Sequence, residues 1–182
     1  MLTLSVIVGA AILVALLAIF GRAFARQYLK YSGDRVITCP ENQRPAGVRV
    51  DAPHVLLTAM EGKPDLRLKT CSRWPERQDC GQACLRQIEA SPEGCLVRHI
   101  LTQWYAGKNC VLCGKPIGEI NWMEHKPALL NAEHHTVQWQ DVLPQDVPDA
   151  LATHQPVCWN CHIVNTMVST HPELIVDRSR HI

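Results

Sequence analysis

The chain opens on twenty uncharged residues, MLTLSVIVGAAILVALLAIF, with no polar stripe on any helical face. A helix from Leu2 to Phe20 is about 28 Å long at ~1.5 Å per residue, close to the ~30 Å hydrocarbon thickness of a bilayer. The pattern predicts a transmembrane anchor over 1–21. A secretory signal has a basic n-region and a shorter apolar run. Here the n-region holds no Lys or Arg, although Ala23-Phe24-Ala25 offers a cleavage site and leaves export after cleavage as an alternative. The next segment, GRAFARQYLKY, continues the helix as a basic juxtamembrane extension over 22–35, with Phe24, Tyr28 and Tyr31 near one face. Gly33-Asp34 breaks it.

The period then changes. Val48 and Val50 alternate with Arg49, and Leu66 and Leu68 alternate with Arg67 and Lys69, as half-buried strands do. With the turn residues Gly62-Lys63-Pro64-Asp65 between them, VITCPENQRPAGVRVDAP and DLRLKT predict a small antiparallel sheet from about residue 36 to 70. DCGQACLRQIEA reads as a short helix with Asp79 as its N-cap. Ser91-Pro92 starts a second helix, on which Leu96, Val97, Ile100, Leu101, Trp104 and Tyr105 form an apolar stripe, and Gly107 stops it. These two helices make a helical hairpin and complete a cysteine-containing α+β region over 36–107. Beyond it, 108–171 carries two C-x-x-C pairs. A Pro- and Asp-rich loop with one helical turn precedes the second pair, and a helix runs from about Trp159 to Thr170. A short tail occupies 172–182. The fold class is α+β.

Composition adds one fact of weight. Among 182 residues there are nine cysteines, and the net charge is +1. The near-neutral charge gives no electrostatic field for nucleic acid or an acidic partner. Nine thiols exceed what packing needs, and an odd number leaves one over if all pair within the chain. Arg22, Arg26, Lys30 and Arg35 follow the apolar span, and only Asp34 opposes them. Basic flanks resist translocation, so the soluble part is expected on the cytoplasmic side, where reduced thiols favour metal binding over disulfides.

Cys110-x-x-Cys113-Gly114-Lys115 has the form of a zinc knuckle, in which both sulfurs face one ion and the glycine takes a left-handed backbone. Cys158-x-x-Cys161 falls at a predicted helix start, where the amide dipoles favour thiolate. Four thiolates make a closed tetrahedral site. This knuckle followed by a helix-borne pair resembles zinc-ribbon and treble-clef domains. The resemblance implies a structural zinc ion on Cys110, Cys113, Cys158 and Cys161 and a role in binding a protein partner. Cys39, Cys71, Cys80 and Cys84 form a second candidate set. Cys39 and Cys71 end two predicted strands, and Cys80 and Cys84 are one helical turn apart. They suit a second zinc or an iron–sulfur cluster, although their spacing matches no compact motif. Cys95 is left to packing.

Two other chemistries use some of the same residues. Cys158, Cys161 and His162 complete C-x-x-C-H, the attachment signature of haem c, which implies an exported electron carrier and leaves Cys110 and Cys113 without a role. The span from Cys110 to His162 also partly resembles HNH nucleases. That likeness implies a water-activating His134 or His135 and a metal-holding His162. NAEHHTVQW, however, reads as a hairpin turn, and no basic patch accompanies it. A redox role for either C-x-x-C pair lacks the βαβ context of thioredoxin-like proteins. The chain has no P-loop, dinucleotide fingerprint, G-x-S-x-G or H-E-x-x-H. The sequence therefore favours a membrane-tethered metal-binding module over an enzyme.

Overall fold

The computed structural model describes residues 2–77 and 79–172. Most of the expected tail, 173–182, lies outside the described residues. The chain divides into two compact units, Met1–Leu96 and Val97–Ile182.

The first unit begins with α1, Leu2–Tyr31. Over Ile12–Tyr31 this helix is long and apolar enough to cross a membrane. Leu13, Leu17 and Phe20 are all exposed. Its last turn is fixed by one side chain. Arg35 is fully buried, and its guanidinium donates to the carbonyls of Lys30 (2.5 Å), Tyr31 (2.8 Å) and Gly33 (3.2 Å). A helix end leaves carbonyls without intrahelical partners, and a cation there also meets the negative end of the helix dipole. Gly33 has φ +106°, which lets the chain reverse into β1, Asp34–Thr38.

β1 pairs antiparallel with β2, Pro45–Val50, in the register Val36 opposite Gly47. β2 then pairs antiparallel with β3, Leu68–Cys71, with Val48 opposite Cys71. The expected small sheet is present, with β2 in the centre. Between β2 and β3 lies α2, Ala52–Met60, which the alternating pattern did not announce. Asp51 is its N-cap, accepting from the His54 amide, and a proline occupies its first turn. Val55 and Leu56 are buried. Ile37, Val48, Val55 and Ile88 belong to one apolar core, and Cys39 and Cys84 lie within it.

The helix expected from Asp79 starts later. α3 spans Leu85–Ala90, and Cys84 stands at its N-terminal boundary without a side-chain cap. Asp79 instead pairs with Arg77 at 3.2 Å. Gln82 accounts for the delay. Its backbone takes φ +53°, and its side-chain oxygen accepts from the Leu68 amide at 2.8 Å. That tertiary bond to the end of β3 competes with local helix.

The helix expected from Ser91-Pro92 begins later, as α4, Val97–Tyr105, which opens the second unit. The two helices predicted as a hairpin thus fall in different units. Gly107 follows α4 with φ +72°, the left-handed stop expected there. β4, Ala128–Leu130, is buried along its whole length. It is the middle strand between β5, Thr136–Val137, and β6, Gln155–Val157, both antiparallel to it. The Pro- and Asp-rich segment is more ordered than a loop. It forms 3-10 turns at Trp139–Asp141 and Pro144–Asp146 and then α5, Val147–Thr153. α6 spans Trp159–Thr170, as expected. Tyr105 ties α4 to the sheet. Its hydroxyl donates to Ala128 O at 2.6 Å and accepts from Trp139 Nε1 at 3.2 Å.

Candidate metal centre

The knuckle is built by local bonds. The Cys110 amide donates to Lys115 O, and the Gly114 amide returns to Cys110 O, both at 2.8 Å. Gly114 has φ +72°, the conformation that the motif requires. A further bond sets where the knuckle sits. The Val111 amide donates to Pro156 O at 2.9 Å, so the knuckle lies beside β6. Two residues past Pro156 the chain reaches Cys158, in extended conformation at the start of α6.

The result is a four-sulfur cluster. The Sγ atoms of Cys110, Cys113, Cys158 and Cys161 all lie within 4.8 Å of one another. Cys113 and Cys158, 45 positions apart, have their sulfurs 3.8 Å apart. Two ligands on a tetrahedral ion at about 2.3 Å stand about 3.8 Å from each other, so the spacing suits a single metal ion. Cys110 is buried, Cys158 and Cys161 are partly buried, and Cys113 is exposed.

The electrostatics agree. Burial alone would push the Cys110 thiol up, but the amides of Cys158, Cys113 and Leu112 point at it and bring it down to about 7. Burial and the three neighbouring sulfurs hold the Cys161 thiol well above its ordinary value. Burial likewise raises Cys158. The thiolate is thus favoured at Cys110 and disfavoured at Cys158 and Cys161, and an entering cation would relieve that repulsion.

His162, the residue after Cys161 on α6, is buried. Its Nδ1 lies 2.8 Å from Thr136 Oγ1, and its Nε2 has no hydrogen-bond partner among the described residues. Burial lowers its pKa. The haem reading requires Cys158 and Cys161 for thioether bonds, whereas here both sulfurs face Cys110 and Cys113. His134 and His135 occupy the exposed turn between β4 and β5, where His134 has φ +63°. The Asn131 side chain accepts from the His135 amide at 2.8 Å. Among the described residues no group of histidines and carboxylates comes together as a nuclease metal site would need.

The other four candidates are placed differently. Cys39, Cys71, Cys80 and Cys84 all line one cavity, but among the described residues they do not close to the spacing of the first cluster. Cys80 lies in the turn ahead of α3, so it and Cys84 do not share a helix face. Cys39 Sγ accepts from Arg73 Nη1 at 2.9 Å. Burial would raise the Cys39 thiol, but the Glu41 amide and Arg73 outweigh it and lower the pKa. Burial, together with nearby Cys80, Cys71 and Cys39, pushes the Cys84 thiol up to about 11. Sequence reasoning missed Arg73 and the Gln82 turn; nothing local in SRWPERQDCGQ announces either contact.

No protein-family model matches this chain, and no curated protein or solved structure matches it either. The reading of the site rests on its own geometry.

Proposed function

We propose that this chain is a single-span membrane protein whose second unit is a zinc-ribbon or treble-clef-like module. The module closes on one structural zinc ion and acts by binding a protein partner at the cytoplasmic face of the membrane. The carrying observation is the mutual approach of the Cys110, Cys113, Cys158 and Cys161 sulfurs to within 4.8 Å. Zinc is the metal of choice for four thiolates in a tetrahedron, and four protein ligands leave it no open position for substrate. The ion's role is therefore to hold the fold.

The membrane and partner parts have separate support. Helix α1 is long and apolar enough to span, and Arg22, Arg26 and Lys30 lie in its C-terminal part, on the side that basic residues retain in the cytoplasm. Arg35 adds little to that bias, because its charge is spent on the end of α1. For a partner surface, α6 exposes Ile163, Val164, Met167 and Val168 on neighbouring positions of one face. Contiguous apolar exposure of this kind marks interaction sites.

The test is elemental analysis with a visible spectrum on the purified full-length protein. Zinc without colour is expected, and zinc bound by the second unit disappears in Cys110→Ser or Cys158→Ser. Either variant also makes the second unit sensitive to protease, since structural zinc and folding are coupled. Native stability and unchanged metal content in both variants would sink the shared-site reading. Iron with a Soret band that survives acid–acetone extraction would replace it with covalent haem and reverse the topology.

A further inference from the structure

Four cysteines of the first unit line a void that the zinc module does not use. Cys39 follows β1, Cys71 ends β3, and Cys80 and Cys84 bracket the turn into α3. All four line one cavity of about 20 Å³. A close-packed core fills such a space with side chains; here the space persists among four cysteines. Its size bears on the occupant. One water needs about 10–15 Å³ of such volume, so the cavity admits one ion-sized guest and is too small for a cluster of several irons and sulfides. Its chemistry bears on it too. The four cysteines line it together with Ile37, Ala46, Leu68 and Trp74, and Glu41, Arg73 and Arg77 complete the lining. Thiol donors select soft cations.

We propose that Cys39, Cys71, Cys80 and Cys84 hold one soft divalent cation of the zinc class, separate from the ion of the second unit. Arg73 and Arg77 also line the cavity. They offset part of the negative charge that four thiolates and one divalent ion carry, and Glu41, 3.6 and 3.7 Å from them, keeps them in place. Cys80 stands outside regular secondary structure, next to the turn into α3. It is partly buried and sits on a turn, with its sulfur accepting from the Gln82 amide at 3.4 Å. The ion would link β1, β3 and the start of α3.

The test counts ions in full-length protein kept reduced in detergent and equilibrated with zinc. Two zinc ions per chain are expected. Cys80→Ser and Cys161→Ser each leave one, and the double variant leaves none. Cys95→Ser, which removes a nearby thiol outside the cavity, keeps two. A second readout needs no variant. In the wild type, zinc protects Cys71 and Cys80 from maleimide at least tenfold, as mapped by mass spectrometry. The proposal is overturned if the wild type carries one ion that Cys80→Ser does not remove, or if zinc leaves Cys71 and Cys80 equally reactive. It is also overturned if the four residues are recovered as disulfides from unreduced cells. Loss of the second-unit ion is scored by Cys161→Ser alone, so failure of the zinc module and failure of this site give different results.

Discussion

Single side chains carry much of the folding information, and some carry it invisibly. Asp51 caps α2 through the His54 amide and pairs with Arg67 at 2.6 Å. Arg67 holds its carboxyl below the ordinary 3.8, with the His54 amide assisting. A depressed carboxyl contributes stability that is complete above its unfolded value and is lost as pH falls through the lower folded one. Stability against urea should therefore drop in this acid window, and Asp51→Ala should be less stable at pH 7 with that part of the acid dependence removed. Tyr105 is buried, and its hydroxyl serves two partners. Tyr105→Phe keeps the ring and strands the Ala128 carbonyl and the Trp139 N–H. The expected cost is about 1–3 kcal/mol, read as a lower denaturation midpoint with an unchanged slope. Neither role was legible. Asp51 directly follows the alternating Val48 and Val50, and the Tyr105 partners lie more than twenty positions away. Gly107 and Gly114 were legible, because a left-handed residue after a helix or knuckle is a local demand that glycine meets.

Among the elements, those with a strict period or a covalent motif were read well. The alternation about Arg49 gave β2, and the C-x-x-C pair gave the start of α6. Elements decided by tertiary bonds were not. α3 begins six residues after the expected cap, because Gln82 is drawn to β3. That shift takes Cys80 off the helix and removes the shared face expected for Cys80 and Cys84. Cys110, Cys113, Cys158 and Cys161 came together for a reason that spacing only hinted at: the knuckle adds to the edge of β6 through Val111 and Pro156. α6 supplies the clearest test of a docking role. Val164 and Met167 are more than half exposed, so Val164→Asp with Met167→Asp should leave fold and metal content intact while abolishing co-purification of a partner from membranes. Retention of the same partner by the double variant would remove α6 from the interface.

On the scale of the whole molecule, the fold class and the apolar helix were open to reading from sequence, whereas the parting of the chain at Leu96 and Val97 was not. The apolar stripe through those residues runs on without a break. The anchor has a direct check. Full-length protein should stay with membranes after carbonate washing, and a chain starting at Ser32 should be released from them. Release of the full-length protein by carbonate would reduce α1 to a peripheral contact. Between the end of α1 and the start of β1 there are only Ser32 and Gly33, and the buried Arg35 clamps that corner. With α1 in a bilayer the first unit therefore has no leash. It cannot search a volume of solution as a domain on a disordered tether does. It sweeps a thin layer next to the lipid headgroups, so its encounters are two-dimensional, and their frequency depends on the area of membrane shared with another molecule rather than on the volume of the surrounding compartment.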